Sequence, residues 1–403
     1  MFIKEVVPSL AKNSRGEATI QIKLVTYEGT FFSSAPSGKS KGKFEVKSYN
    51  VKGIGKSLVL LKRFCRFLKH RNFLIKKIDD LKELVSLVKR FEGRYGDLGG
   101  NVTYALESVF LKAAALDNNK ELWKFIHDDV NSGRKPKMPM PVGNCIGGGL
   151  HSKFIRGKRP DFQEFLLIPK EKTFSRAVTV NLRAYGLAEK LLKGGKRNDE
   201  NAWMTDKTNE EVLEILGKVG KHYKLRIGLD IAASTFYDKG YYKYKNKELI
   251  RDKVDQADYV ERLVKRFGIF YIEDGMNEED FSGFKEVLSA VKKGVLIVGD
   301  DLTTTNLRRV RRAVNSKSMN AMIIKPNQIG SLIQVRDVVK FCKFHKIKMI
   351  FSHRSGETMD DVLADYCVGF GGDFIKTGIF GKERLIKLRR VMEIEKSLKK
   401  LYK

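Results

Sequence analysis

The chain of 403 residues has only four cysteines, and no two of them lie close together in the sequence. Cys65, Cys145, Cys342 and Cys367 form no C-x-x-C pair, and this spacing argues against zinc ligands or a disulfide framework. Isolated thiols of this kind are typical of buried cysteines in a reducing compartment. We therefore expect a cytoplasmic protein.

Long apolar runs are also missing. No stretch of about 18 or more apolar residues occurs, so the sequence predicts no helix that spans a membrane. The first ten residues, MFIKEVVPSL, contain Lys4 and Glu5, which interrupt the continuous apolar stretch that a signal peptide needs. We expect no membrane partner.

Acidic residues are scarce: 48 Asp and Glu stand against 78 Lys and Arg, which gives a formal net charge of +30. A strongly basic balance is one signature of nucleic-acid binding. The basic residues are nevertheless spread along the chain, and the densest tract, residues 39–56, has few aromatic side chains to stack on bases. Two interpretations stay open: a solvated surface that also attracts a small anionic substrate, or binding of nucleic acid or another polyanion.

Only eight prolines occur, and three of them fall within residues 136–141. Because proline fixes φ and removes a donor, this cluster predicts a boundary between a domain at 1–135 and a domain at 136–403. The first domain has strand patterns followed by helix patterns, which indicates an α+β fold. The predicted strands are residues 2–9, 18–26 and 30–34, and the predicted helices are about 57–70, 78–92, 101–116 and 119–129.

The second domain alternates short apolar β runs with helical patterns. One helix is predicted at 331–345, and another begins at Thr208 with a capping box. This alternation predicts an α/β fold, a (β/α)₈ TIM-like barrel. The β runs are residues 225–230, 269–274, 295–301, 321–325, 348–353 and 374–376.

Each of these six runs ends in a polar or charged residue, and the ends are 23 to 43 residues apart. Parallel barrel strands bring all their carboxyl ends to one mouth, where barrel enzymes place their active sites. Six residues should therefore converge in one pocket. They are Asp230, Glu273, Asp300, Lys325, His353 and Lys376.

The residue types at this mouth point to a particular chemistry. Three carboxylates without cysteine ligands select a hard cation such as Mg²⁺, which can stabilise an enediolate. Lys325 would act as a base, because partial desolvation and the neighbouring Lys376 and metal would lower its pKa. We expect Arg354-Ser355-Gly356 to open a helix, so that a guanidinium and backbone N–H groups bind a phosphate.

The same residues lie in motifs that together resemble the enolase family, from Ser14-Arg15-Gly16 to Glu383-Arg384. The segment GNCIGGGLH at 143–151 is most similar in sequence to archaeal members. The specific motifs are IGLDIAAS (227–234), YIED (271–274), VGDDLTTTN (298–306), IIKPNQIGS (323–331), SHRSGET (352–358) and FIKTG (374–378).

The resemblance implies an enolase-type barrel with an amino-terminal α+β capping domain. It implies phosphopyruvate hydratase activity: the reversible dehydration of 2-phosphoglycerate to phosphoenolpyruvate in glycolysis and gluconeogenesis, with two Mg²⁺ ions per site. Lys325 matches the base and Glu200 the acid, with Glu164 and His151 as further catalytic residues. The metal ligands would be Asp230, Glu273, Asp300 and Ser40, and the substrate contacts would be His151, Gln163, Glu164, His353, Arg354, Ser355 and Lys376.

The family is commonly dimeric or octameric, so the resemblance implies a homo-oligomer without choosing between the two. Four positions depart from the family pattern, namely Lys39, Gly147, Asn201 and Gly275. None of them removes a chemical group from the predicted site. A muconate-lactonising or mandelate-type enzyme is less consistent with the sequence, because the strand ends lack the Lys-x-Lys or His-Asp base of those families.

Overall fold

A computed structural model describes residues 1–39 and 42–401. Its amino-terminal part is a meander of three antiparallel strands followed by four helices, as the sequence pattern predicts. The strands are β1 (Ile3–Lys12), β2 (Ala18–Thr26) and β3 (Thr30–Ser34). The helices are α1 (Ile54–Leu68), α2 (Lys82–Tyr95), α3 (Gly100–Asp117) and α4 (Leu122–Val130).

Helix α3 organises this part of the molecule. Strand β2 alternates buried and exposed residues, so Ile20, Ile22 and Leu24 form one apolar face. Helix α3 is apolar around most of its circumference, which is the pattern of a helix buried on all sides. It packs against β2, β3 and α4 on the amino-terminal side and against helices of the following domain.

The rest of the chain alternates strands and helices. Its strands are β4 (Met140–Gly147), β5 (Glu164–Ile168), β6 (Trp203–Met204), β7 (Arg226–Asp230), β8 (Tyr237–Asp238), β9 (Tyr241–Tyr244), β10 (Leu249–Arg251), β11 (Tyr271–Glu273), β12 (Leu296–Gly299), β13 (Ala321–Ile324), β14 (Lys348–Ser352) and β15 (Phe374–Lys376). Its helices are α5 (Phe174–Leu191), α6 (Asn209–Tyr223), α7 (Lys253–Phe267), α8 (Phe281–Ala290), α9 (Leu307–Asn315), α10 (Pro326–Ile329), α11 (Leu332–Phe344), α12 (Val362–Phe370) and α13 (Lys382–Leu401).

Eight of these strands close a barrel, in the order β4, β5, β7, β11, β12, β13, β14, β15 and back to β4. This confirms the predicted barrel, and the capping box at Thr208 begins α6 as predicted. Strand β5 differs from the simple repeat, since it runs antiparallel to both β4 and β7. Its first residue, Glu164, therefore lies at the mouth where the parallel strands end, beside Asp230.

The barrel interior is filled by side chains from most of the strands. Below the polar mouth, a separate apolar cluster forms the packed interior that is usual for such barrels. Its members are Val142, Leu166, Ile168, Tyr271, Leu296, Val298, Ala321, Ile323, Ile350 and Phe374. No helix within residues 1–39 and 42–401 combines the length and apolar character needed to cross a bilayer.

Polar contacts join the amino-terminal part to the barrel. The Asp360 carboxylate, in the loop before α12, accepts hydrogen bonds from the Ser34 backbone N–H at 3.0 Å and from Lys112 Nζ at 2.7 Å. The Glu107 carboxylate, on α3, accepts the backbone N–H of Leu332 at 2.6 Å and the hydroxyl of Ser331 at 3.3 Å. Glu107 thus binds the first turn of α11, just after the segment that carries Lys325.

The buried Glu107 carboxyl should make stability depend on pH. Burial raises its pKa to about 8, from an ordinary value of 4.5. A raised folded-state pKa contributes stability below about pH 4.5, and this contribution is lost as the pH rises towards about 8. We expect the unfolding free energy of Glu107→Gln to increase relative to the unmodified chain across that window, as measured by urea unfolding.

The exposed Glu83→Gln, on α2, is the matched control for this change, because it removes the same charge at the surface. Its stability difference from the unmodified chain should stay flat between these two pH values. A difference for Glu107→Gln that is equally flat would contradict the prediction.

Candidate active site

Three carboxylates meet at the barrel mouth on adjacent strands. The register pairs Asp230 of β7 with Glu273 of β11 on one side and with Glu164 of β5 on the other. All three side chains are buried, with relative exposures of 4%, 0% and 2%. A buried carboxylate is stable only if a cation or a proton compensates its charge, so the groups that face these three side chains determine their charge state.

The Lys376 ammonium, at the end of β15, faces all three of these carboxylates. Its Nζ lies 2.8 Å from Glu273, 3.1 Å from Asp230 and 3.0 Å from Glu164. Burial disfavours the charged ammonium, but the three carboxylates outweigh burial and raise the pKa of Lys376 well above its ordinary value. Glu273 also accepts the hydroxyl of Tyr271 at 2.6 Å, and burial raises the pKa of Glu273 to about 8.

The Lys325 ammonium forms a second ion pair, with Asp300. Gln328 Nε2 lies 3.3 Å from the other Asp300 oxygen. Burial opposes the charged form of Lys325, but the Asp300 carboxylate outweighs burial and raises the lysine's pKa. The expectation that cationic neighbours lower this pKa is therefore wrong for this arrangement, because the nearest charge is negative.

The predicted metal ligands are divided between the two lysines. Asp230 and Glu273 share the Lys376 ammonium, whereas Asp300 is paired with Lys325. Oxygen atoms of Asp274, Asp300 and Asp301 also lie within 4.8 Å of one another. Asp274 organises this turn, because its carboxylate accepts the backbone N–H groups of Asp300 and Asp301 at 3.0 and 2.7 Å.

This donor set fits a divalent cation. The ligand atoms are carboxylate oxygens, which Mg²⁺ prefers, and the side chains of Asp230, Glu273 and Asp300 are at most 8% exposed. Three carboxylates carry more negative charge than the two ammonium groups offset. Ser40, the predicted ligand of a second ion, lies outside the described residues.

A second cluster joins His151, Glu164 and Glu200, whose ligand atoms lie within 4.8 Å of one another. His151 Nδ1 is 3.4 Å from Glu200 and 3.7 Å from Glu164, and His353 Nε2 is 3.8 Å from Glu200. Burial raises the pKa of Glu164 well above its ordinary value. Burial acts the same way on Glu200, but His151, His353 and a hydrogen bond with Glu164 lower the pKa of Glu200 overall. The pKa values of the two carboxyl groups are thus driven apart, upwards for Glu164 and downwards for Glu200.

Glu200 is positioned by asparagines around it. Asn198 Oδ1 accepts the backbone N–H groups of Glu200 and Ala202 at 2.9 and 3.0 Å, and Asn144 Nδ2 donates to the Glu200 carboxylate at 3.1 Å. Asn201 adopts a left-handed conformation with φ 63°, which explains why a glycine is replaceable there by asparagine. Gly147 leaves room for Asn198, because a Cβ at Gly147 would come within 2.1 Å of its Nδ2.

Arg354 and Ser355 lie in a loop at the same mouth. The expected helix at Arg354-Ser355-Gly356 is wrong, since the next helix begins at Val362. The backbone of this loop is used otherwise: Gly356 exchanges two hydrogen bonds with Ser37, each of 2.8 Å. Residue Glu45 binds the Arg354 guanidinium with both carboxylate oxygens at 3.0 Å.

Lys39 bridges two segments of the site. Its backbone N–H donates to the Ser355 hydroxyl at 2.8 Å, and its Nζ lies 2.6 Å from Asp199, next to Glu200. The lysine therefore connects the loop that holds a predicted phosphate contact to the loop that holds the predicted acid.

Every predicted site residue that the structure describes lies at this one mouth. Gln163 also lies there, with its Nε2 3.4 Å from Asp230. The sequence reasoning missed Glu45, Asn144, Asn198 and Tyr271. Asn198 and Tyr271 had a signal, since Asn198 lies two residues before Glu200 and Tyr271 lies in the motif YIED with Glu273. Glu45 is defined by its contact with the distant Arg354. The side chains leave about 20 Å³ between them, so a substrate must displace some of them.

Comparisons with known proteins agree with this geometry. Residues 135–402 match the family model described as the enolase C-terminal TIM barrel domain. The chain is 35% identical to an enolase of Picrophilus torridus over 96% of both chains, and 35% identical to one of Thermoplasma acidophilum over 98% of both. It is 34% identical to an enolase of Methanosphaera stadtmanae over 96% of this chain and 95% of that one. The chain belongs to the enolase family of carbon–oxygen lyases.

Proposed function

We propose that this chain is a Mg²⁺-dependent phosphopyruvate hydratase that interconverts 2-phosphoglycerate with phosphoenolpyruvate and water. The observation that carries the proposal is the convergence of Lys325 and Lys376 with three buried carboxylates at the mouth of an enolase-family barrel. A base, a second cation and a hard-metal donor set thus occupy one cavity. These are the groups needed to remove a proton from a carbon beside a carboxylate.

Asp230, Glu273 and Asp300 would hold one Mg²⁺, and Ser40 would contribute to a second. A bound Mg²⁺ supplies positive charge to the substrate carboxylate and so makes the adjacent C–H bond more acidic. The buried Lys376 ammonium supports the same carboxylate from the protein side. It is held in place by Glu164, Asp230 and Glu273.

Lys325 would take the proton from C2. Its amine must first lose the proton that the Asp300 carboxylate stabilises in the ion pair. A cation held by the Asp300 oxygens would remove that stabilisation, while burial would still disfavour the ammonium. The ion pair with Asp300 favours the protonated form of Lys325, in which the proposed base would be inactive.

Glu164 and Glu200 would supply the proton to the departing C3 hydroxyl. Their separated pKa values indicate that the pair holds one proton, which is the environment expected of a general acid. The proton would reach the hydroxyl through Glu200, and water would leave. His151 Nδ1 and His353 Nε2 lie 3.4 and 3.8 Å from the Glu200 carboxylate that would remain.

The substrate phosphate would bind at Arg354 and Ser355. Glu45 already binds the Arg354 guanidinium, so an incoming phosphate has to compete with this carboxylate. Gln163 and His353 complete the proposed substrate contacts. A cytoplasmic location is consistent with the four buried, unpaired cysteines. A homodimer or octamer stays a prediction from the family.

The roles of base and acid can be separated by isotope exchange. In D₂O with Mg²⁺ and 2-phosphoglycerate, Lys325→Ala should lose both dehydration and exchange of the C2 proton, by at least about 10³-fold, because it removes the base. Glu200→Gln should lose dehydration but keep C2 exchange, because Lys325 is intact. Proton NMR of the C2 signal and ultraviolet absorbance of the product measure the two rates.

Lys387→Arg serves as the control for Lys325→Ala, since Lys387 is another buried lysine, 2% exposed, that contacts Glu357 outside the predicted chemistry. It should retain both rates within a few-fold. Normal exchange in Lys325→Ala would refute the assignment of the base.

The ion pair between Lys39 and Asp199 should couple the two loops. Both side chains are partly exposed, at 43% and 32%, so we expect an interaction of only ~0.5–1 kcal/mol. Lys39→Met and Asp199→Asn should each lower kcat/KM about two- to five-fold, and the double variant should be no worse than either. Steady-state kinetics at low salt measure this cycle.

Lys43→Met provides the control, because Lys43 makes an ion pair with Glu279 in the same region that is more exposed, at 62% and 55%. It should leave kcat/KM unchanged. Fully additive effects of Lys39→Met and Asp199→Asn would show that the ion pair does not couple the loops.

Metal affinity should depend on the predicted ligands. Glu273→Gln removes one carboxylate from the donor set and should weaken Mg²⁺ binding by at least about ten-fold in titration calorimetry. The exposed Glu279→Gln loses the same charge elsewhere and should bind Mg²⁺ like the unmodified chain. Equal affinities in the two variants would place the ion away from Glu273.

A further inference from the structure

A cavity of about 250 Å³ lies next to the predicted active site but shares no lining residue with it among the described residues. One wall is formed by the loop after the 3₁₀ turn Gly149–His151, and the other by residues 235–246 around β8 and β9. The proposed reaction uses none of its lining side chains. Those that matter for its chemistry are Phe154, Lys158, Arg159, Asp161, Lys245 and Asn246.

The cavity has an excess of positive charge. Lys158, Arg159 and Lys245 contribute three cations, against the single carboxylate of Asp161. That carboxylate is already bound by two peptide groups, since it accepts the backbone N–H groups of Lys245 at 2.7 Å and Asn246 at 3.3 Å. Within the described residues, no carboxylate lies within ion-pair distance of the three cationic side chains. The cavity therefore suits an anion with at least two charges.

Among the three cations of the cavity, Arg159 has a guanidinium that other residues hold in place. Its guanidinium stacks on the Phe154 ring, 4.2 Å from the ring centroid, and donates to the backbone carbonyl of Ser152. Partial burial lowers the pKa of Arg159, which shows that its charge is incompletely solvated. A desolvated, fixed guanidinium is the group that binds phosphate oxygens most strongly.

We propose that this cavity binds a diphosphate group, either as free pyrophosphate or as part of a nucleoside diphosphate. Lys158, Arg159 and Lys245 would contact the phosphate oxygens, and the half-exposed Phe154 ring lies beside them for a base to stack on. A volume of about 250 Å³ fits a small ligand and not a nucleic-acid strand.

The cavity is connected to the predicted active site by a short chain of hydrogen bonds. Arg159 donates to the Ser152 carbonyl, and the Ser152 hydroxyl accepts Asn198 Nδ2 at 3.2 Å. The Asn198 Oδ1 in turn accepts a hydrogen bond from the backbone N–H of Glu200 at 2.9 Å. An anion that draws Arg159 towards it would therefore act on both His151, which precedes Ser152, and Glu200. Binding is independent of the proposed function, whereas any effect on catalysis rests on it.

Calorimetric titration with pyrophosphate, without divalent ions, tests the site directly on the full chain. The double variant Lys158→Ala/Lys245→Ala should bind at least ten-fold more weakly than the unmodified chain. The control is Lys239→Ala/Lys243→Ala, which removes two positive charges from the β8–β9 hairpin at positions that do not line the cavity. It should bind within two-fold of the unmodified chain.

Two results would overturn the proposal. One is the absence of saturable binding by the unmodified chain at millimolar pyrophosphate. The other is equal binding by the two double variants, which would place the anion elsewhere, including the predicted active site. Titration with ADP distinguishes the sources: ADP binding at least ten-fold tighter than pyrophosphate, with the gain lost in Phe154→Ala, supports a nucleotide, and equal affinities support free diphosphate.

Hydrogen exchange tests the connection to the active site without using activity. Pyrophosphate should slow amide exchange in residues 149–159 and 198–202 of the unmodified chain. In Arg159→Lys, which keeps the charge but not the fork of donors, protection at 198–202 should be lost even at pyrophosphate concentrations that saturate the variant. Unchanged exchange at 198–202 in the unmodified chain would contradict the coupling.

Discussion

The structure depends on the compensation of buried charge at the barrel mouth. Burying a carboxylate or an ammonium group alone costs several kcal/mol, and this cost is offset only where the charges meet in good geometry. Lys376 satisfies three carboxylates from three strands, and Lys325 satisfies Asp300. A cation bound by Asp230, Glu273 and Asp300 would compete with these ion pairs. It would thereby free Lys325 and Lys376 to contact a substrate. The same charged side chains would thus form ion pairs with one another in the resting protein and contact cation and substrate in the proposed catalytic state.

The rest of the fold positions these charges. The reversed strand β5 brings Glu164 to the mouth, where it joins Glu200 and His151. The amino-terminal part contributes Lys39 and Glu45, which contact Asp199 and Arg354 of the barrel. Helix α3 fixes this part against the segment after Lys325 through Glu107. The proposed substrate binding and acid chemistry would therefore depend on contacts between segments that are distant in the sequence.

Much of this arrangement could be predicted because it is local in the sequence. Short apolar runs that end in Asp230, Glu273, Asp300, Lys325 and Lys376 are visible as patterns, and barrel topology then places their ends together. The partners of each charge could not be predicted, since they depend on side-chain packing across the mouth. The pKa of Lys325 was predicted with the wrong sign for this reason. Residues 354–356 do not open the expected helix, because Gly356 pairs with Ser37, which is distant in the sequence. A small part of the +30 net charge is concentrated in the cavity at Arg159, where three cationic side chains lie together.

The central claim is that the mouth performs metal-dependent dehydration. Its most direct test is the ultraviolet absorbance of the enol-pyruvate product after 2-phosphoglycerate is added to the purified chain, with Mg²⁺ and then with excess chelator. We predict that absorbance rises with Mg²⁺, stops rising when the chelator is added, and rises again when Mg²⁺ is restored. No increase in absorbance with Mg²⁺ present, from a chain shown to be folded, would contradict the account.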